Sequence, residues 1–331
     1  MQRAVNIEIT LAKIGLSGPD IATALIEMDE EKLTKNKLEL LKLVLPDMEE
    51  TRLINRFLDE NPDTNPDELR AAERTVFHLL KLPRMQSRVQ CFYAKLTVAE
   101  RITTLVSQLD VVYQALVEVQ HSTPLRYLLQ LVLHLGNFMN QTTARGGAVG
   151  LRLSTLEKLS SVRASSNAGK HKHGNTLLHI IAQVAEAEQH EALDARKTLP
   201  HLQAACAIEM ELVETELTDL RRLCKMVGHE VRAEAGGSAS VEAFTAFSRE
   251  FESGIAALEQ KKTAVDAEID HLYRSVGDDP KSTSVQNMLR NVDSFTHSLE
   301  RAHADLLQVE QNAKRQVRHQ SCCLLHMPCV L

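Results

Sequence analysis

Tryptophan is absent from the 331-residue chain, and aromatic residues make up only 4% of it. Leu and Ala dominate instead, a composition that favours helix packing over sandwiches. Proline (9) and glycine (13) are few for this length, so long continuous helices are expected. Six cysteines (91, 206, 224, 322, 323 and 329) show no C-x-x-C spacing, which fits reduced thiols in a cytosolic protein. The formal net charge is -6 and the basic residues are scattered, which argues against a nucleic-acid footprint. No run of about 18 apolar residues is present, so no membrane span is expected. The opening MQRAVNIEIT lacks the apolar region of a signal peptide. With 44% hydrophobic residues, the chain can still bury cores for one large domain or two or three subdomains.

Residues 1–95 read as short helices with clear punctuation. Ser17-Gly18-Pro19-Asp20 starts one, with Pro near its first turn and Asp at the positive end of the dipole. The stretch from Asp59 to Pro66 is a loop by composition, and Pro66-Asp67-Glu68 starts the next helix. Thr123 serves as an N-cap followed by Pro124, opening a helix that is apolar almost all round and therefore expected to be buried. From 182 to 232 the pattern is long and helical. Gly236-Gly237-Ser238 interrupts it. Then Phe244, Phe247, Phe251, Ile255, Leu258, Val265, Ile269 and Leu272 follow a three-and-four spacing, a coiled-coil-like seam. Gly277-Asp278-Asp279-Pro280 ends that helix, and a last one runs from Ser284 to Val317.

The first helix carries an ambiguity. Val5, Ile7, Ile9 and Leu11 alternate as in a strand, but the helical surroundings favour a helix. On a helix, Ile7, Leu11 and Ile14 share one face. Ile9 then lies about 200° from Ile7, at roughly 100° per residue, on the side of Val5. Either the helix is buried on two sides or Ile9 is an exposed apolar anchor.

The segment 136–159 breaks the helical pattern. Gly136-Asn137-Phe138-Met139-Asn140 is followed by Arg145-Gly146-Gly147-Ala148-Val149-Gly150-Leu151, then Leu156-Glu157-Lys158-Leu159, and later Thr176-Leu177-Leu178-His179. Four glycines on one connection of a helical protein hold a shaped loop. These elements, in this order, resemble the signature of the formin homology 2 domain, the actin-assembling module of formins. The opening Ala4-Val5-Asn6-Ile7-Glu8-Ile9-Thr10-Leu11 is similar to that family's A-Q-N-L-x-I-x-L, and the resemblance extends over nearly the whole chain.

The resemblance implies an elongated all-α fold with knob, coiled-coil rod and post. It divides the chain into a knob-like part (1–95), a rod helix (96–122), a post-like part (123–200), coiled-coil and C-terminal helices (201–318), and a tail outside the pattern (319–331). It implies actin as the partner, bound at filament barbed ends by Ile9 of the knob and Lys158 of the post. It also implies nucleation of filaments, a place in the cytoplasm with the cytoskeleton, and no enzymatic step. The post loop with Gly136, Asn137, Met139, Asn140, Arg145, Gly147 and Gly150 is where the family receives the lasso of a partner subunit. That lasso carries tryptophans and precedes the knob, whereas this chain starts at the knob. Dimerisation, and the elongation activity that depends on it, therefore require a lasso to be supplied. Leu151 replaces the family's phenylalanine. The stretch between Leu159 and Thr176 is longer than usual and carries Lys170-His171-Lys172-His173, either a loop or added pH-sensitive positive charge. The alternative is a helical scaffold that keeps the fold and binds microtubules or a partner helix.

No chemistry-bearing constellation competes. His171-x-His173 lacks further ligands at matching spacing, so no metal or other cofactor is expected. His229-Glu230 lacks the second histidine of a zincin helix, and Gly169-Lys170 lacks the upstream glycine of a phosphate loop. No nucleophile elbow or kinase signature occurs. The tail Cys322-Cys323 to Cys329 is not a prenylation box, since Pro328 intervenes.

Overall fold

The computed structural model describes residues 2–61, 65, 69–163, 176–233 and 239–325. The expected Gly236–Ser238 interruption, the Lys170–His173 stretch and Cys329 lie outside them. Every α-helix follows in chain order: α1 (Gln2–Ile14), α2 (Gly18–Glu27), α3 (Lys35–Val44), α4 (Met48–Glu60), α5 (Ala71–Leu80) and α6 (Met85–His121). Then come α7 (Thr123–Met139), α8 (Leu177–Glu188), α9 (Leu202–Ala205), α10 (Met210–Ala233), α11 (Ala239–Val276) and α12 (Val285–Leu325). The only β pairing among the described residues is an isolated antiparallel bridge, Arg163 with Thr176. The all-α class that the resemblance implies holds among the described residues.

Two compact units divide the chain, and each is discontinuous: residues 1–105 with 212–259, and 106–211 with 260–331. In the first unit, Ile7, Ile14, Ile21, Leu25, Leu38, Leu41, Leu79 and Phe92 bury together. At about 1.5–3 kcal/mol for each fully buried large apolar side chain, this cluster is what holds α1, α2, α3, α5 and the start of α6 together. Ser17 caps α2 by accepting from the Asp20 backbone at 3.3 Å. Glycine is required at Gly18, because a Cβ there would meet the Thr75 backbone at 2.9 Å. Arg101 on α6 reaches Glu216 (2.6 Å) and Asp219 (3.3 Å) on α10. The seam on α11 is buried in this unit at Phe244, Phe251, Ile255 and Leu258, and its continuation in the second unit is buried at Val265 and Leu272.

In the second unit, α7, α8 and α12 pack with two 3-10 helices, Leu153–Ser160 and His190–Thr198. Gly277 ends α11 in a left-handed conformation (φ +65°), its N–H returning to Tyr273 O at 2.9 Å. Ser284 then caps α12 by accepting from the Asn287 backbone at 3.3 Å.

Several expectations need correction. The cap of α7 is Ser122, whose Oγ accepts from Leu125 N at 3.2 Å, so Thr123 is already the first helical residue. Nor is α7 buried all round: Leu125, Leu128 and Val132 form one buried face, while Phe138 and Met139 are exposed. The helix read from 182 onward stops at Glu188. His190–Thr198 winds more tightly, burying Ala192, Leu193 and Ala195, and Pro200 follows, which cannot donate to a helix. The loop expected from Asp59 begins at Asn61, because α4 runs to Glu60. The helix expected from Pro66 is described from Ala71, with residues 66–68 outside the described set. The last helix runs past Val317 to Leu325.

Candidate functional site

Ile9 lies on α1, in the first unit. Ile7 (8% exposed) and Ile14 (1%) face the core, whereas Ile9 is 53% exposed and Val5, one turn earlier, 51%. This resolves the ambiguity in favour of the outward-facing reading. A second device fixes the helix that carries Ile9. The Arg3 guanidinium donates to both carboxylate oxygens of Glu50 on α4, at 2.9 and 3.1 Å, and to the carbonyls of Leu43 (3.2 Å) and Leu45 (3.1 Å). Hydrogen bonding from Arg3 holds the Glu50 carboxyl below its ordinary value and raises the guanidinium above its own.

The second unit carries the glycine-rich segment. Gly136, Asn137 and Met139 are not in a loop, as the sequence suggested, but form the last turn of α7, which Asn140 closes. The Asn140 backbone N–H donates to Gly136 O at 3.1 Å and its side-chain amide to the same oxygen at 2.8 Å. From there the chain makes a tight turn. Thr143 donates to Asn140 O through both its N–H (2.8 Å) and its hydroxyl (2.9 Å), and Gly146 N donates to Thr143 O at 3.1 Å. The turn returns on itself so closely that a Cβ at Gly146 would sit 2.7 Å from Asn140 O. Gly147 adopts φ +72°, the left-handed region that favours glycine. No such demand exists at Gly136 or Gly150, where a Cβ would meet nothing within 4 Å.

Asn137 fixes the far side of this loop. Its amide nitrogen donates to Ala148 O and its amide oxygen accepts from Ala148 N, both at 2.8 Å. Thus one side chain satisfies both backbone groups of a residue in an exposed loop, much as a strand partner would. Arg145 is exposed, with its backbone N–H on Thr143 Oγ1 at 3.2 Å. Phe138 (68% exposed), Met139 (55%) and Val149 (101%) leave apolar surface on this segment. Gly146, Phe138 and Val149 stand in the signature but are not among the residues that the resemblance assigns to the lasso-receiving loop, and the structure brings them into the same segment. For Gly146 the signal was available, as one of four glycines on one connection.

Beyond the loop, Leu153, Leu156 and Leu159 are buried at a spacing of three, the repeat of a 3-10 helix. That register turns Glu157 and Lys158 outward, and Lys158 is exposed. Its carbonyl accepts from Ser161 N (3.1 Å) and Val162 N (3.2 Å), closing the helix. The structure therefore gathers Gly136, Asn137, Met139, Asn140, Arg145, Gly147 and Gly150 into one tied segment. Lys158 follows in the same unit, and Ile9 belongs to the other. Among the described residues no group of three or more His, Cys, Asp or Glu side chains is arranged to hold a metal ion.

The family model of the Formin Homology 2 Domain matches residues 1–300. Formin-like protein 3 of Oryza sativa subsp. japonica is 33% identical over 284 residues, covering 85% of this chain and 22% of that protein. Formin-like protein 14 of Arabidopsis thaliana is 32% identical over 297 residues, covering 90% of this chain and 22% of that protein. Formin-like protein 13 of the same plant is 27% identical over 319 residues, covering 95% of this chain and 24% of that protein. The chain thus spans about a quarter or less of the length of these relatives. With nine-tenths of its length matched by the family model and its glycine-rich segment shaped as described, the chain belongs to the formin homology 2 domain family.

Proposed function

We propose that this chain is an actin-assembling module that binds filament barbed ends and stabilises the small oligomer from which a filament starts. The family match across residues 1–300 carries this reading. Ile9 supplies an apolar contact, and its exposure beside a fixed core face supports that role. Lys158 supplies a cation toward an acidic actin surface; its outward register on a short, three-leucine-anchored helix supports that role. Bridging two adjacent actin subunits through two such contacts lowers the cost of the nucleus without any covalent chemistry, so the activity is binding rather than catalysis. Elongation at a moving end needs two joined copies, because one can hold while the other steps. The tied segment from Gly136 to Gly150, with Phe138, Met139 and Val149 exposed, is the surface proposed to receive a lasso from the second copy. The proposed location is the cytoplasmic cytoskeleton.

Actin assembly from monomers and from preformed seeds tests this, with the protein's mass measured by light scattering in the same buffer. Faster nucleation by the chain, alone or after a lasso-bearing segment is joined upstream of Met1, is the expected result. No effect in either form, together with cosedimentation with microtubules, would replace this reading with that of a scaffold.

A further inference from the structure

Helix α4 stands apart from the packing logic of its unit. Its sequence is amphipathic, with Leu53, Ile54, Phe57 and Leu58 on one face, yet no residue of the helix is fully buried. Leu53 remains 60% exposed and Phe57 48%. The apolar face lies over a cleft of about 520 Å³ whose opposite walls are buried residues of α1 and α5, among them Ile7, Val76 and Phe77. That volume falls within the range of roughly 300–1,000 Å³ typical of small-molecule sites, which are mostly apolar with few polar groups.

The helix is held over this space rather than collapsed into it. Asp47 accepts from the backbone of Glu49 (2.9 Å) and Glu50 (2.7 Å), and the Glu50 side chain accepts from Asp47 N at 3.2 Å, a complete capping box. The Arg3–Glu50 pair ties the same end of α4 to α1. These contacts also decide the charge of an occupant. The charged residues on the lining are Arg3, Glu50 and Glu73. Arg3 and Glu50 neutralise each other, and Glu73 accepts from the Arg70 backbone at 3.2 Å. A charged ligand would give up its hydration and find each potential counter-ion already engaged.

We propose that the cleft between α1, α4 and α5 is a binding site for a neutral, predominantly apolar small molecule. Binding would bury the faces of Leu53 and Phe57, which the free cleft leaves exposed.

Fluorescence titration of the full chain with Nile red, a neutral apolar dye, tests this, with 1-decanol and decanoate as competitors of equal chain length. The expected result is saturable one-to-one binding, displaced by 1-decanol at a concentration at least tenfold lower than by decanoate. Leu53→Glu places a charge on the apolar wall at an exposed position and should weaken dye binding at least tenfold with helicity unchanged. Leu53→Trp fills the space without adding charge and should also weaken it. Absence of saturable binding, binding indifferent to both variants, or equal competition by decanoate would overturn the proposal. Dye binding that falls as protein concentration rises would place a second copy in the cleft and equally overturn it.

Discussion

The side chain of Asn137, in the last turn of α7, holds the backbone of Ala148, eleven residues onward, by both its N–H and its carbonyl at 2.8 Å. Two neutral hydrogen bonds at the rim of the molecule contribute about 1–2 kcal/mol together. Asn137→Ala should therefore lower global stability by no more than this amount while exposing the segment 140–152 locally. Hydrogen exchange at the Ala148 amide is the direct readout. Protection unchanged from wild type would show that the loop holds its shape without the tie.

Glycine substitutions should separate sharply within this one loop. Gly146→Ala forces a Cβ to 2.7 Å from Asn140 O and should cost about 1–3 kcal/mol. Gly147→Ala, at φ +72°, should cost about 1 kcal/mol from the left-handed backbone alone. Gly150→Ala meets open space and should stay within about 0.5 kcal/mol of wild type. Thermal unfolding of the three variants checks the order, and a Gly150 variant as damaging as Gly146→Ala would refute it.

The Arg3–Glu50 pair makes the stability of the first unit depend on acid. Arg3 depresses the Glu50 carboxyl below its ordinary value of 4.5 in the folded state. A depressed carboxyl stabilises the fold above its unfolded value, and the stabilisation disappears as pH falls through the lower, folded value. The unfolding midpoint of wild type should exceed that of Glu50→Gln near neutrality. The gap should narrow as pH falls below the ordinary carboxyl value of 4.5 and close once Glu50 is protonated in the folded state as well. A gap that stays constant across this range would contradict the role of the pair.

Burial and the nearby Asp293 push the Cys206 thiol up to about 11. At pH 8 only roughly one thiol in a thousand is then ionised. Mass-spectrometric mapping after iodoacetamide should find Cys206 unmodified in the folded protein and modified in urea. Rapid labelling of the native chain would contradict it.

Much of the architecture was legible because it rests on local chemistry. Ser17-Gly18-Pro19-Asp20 carries a local helix-start signal that α2 uses, and the seam from Phe244 to Leu272 marks its buried face by its period. Helical geometry placed Ile9 away from the face of Ile7, Leu11 and Ile14, but whether that side was buried or exposed is decided only by the fold, which leaves it exposed. What stayed hidden depends on contacts between distant residues. Nothing in the order of residues shows that Asn137 will take both polar groups of Ala148, or that α7 will run on through Met139. Ser122 and Thr123 are both competent caps, and the choice of Ser122, whose hydroxyl also meets that of Thr198 at 2.7 Å, is made by the fold. The helix-favouring composition after Ala182 does not show the 3-10 helix at His190–Thr198, in which Ala192, Leu193 and Ala195 are buried. The cleft under α4 is equally silent in sequence, since an amphipathic helix reads the same whether or not its apolar face is filled.

The most direct measurement compares barbed-end binding, by seeded actin elongation, for wild type, Ile9→Ala and Lys158→Asp, each fused to an added dimeric coiled coil to supply two joined copies. Both substitutions should weaken binding by about tenfold or more, with circular dichroism unchanged, since a few anchors carry most of an interface's energy. Wild-type affinity in both variants would contradict the assignment of these two residues as the actin contacts.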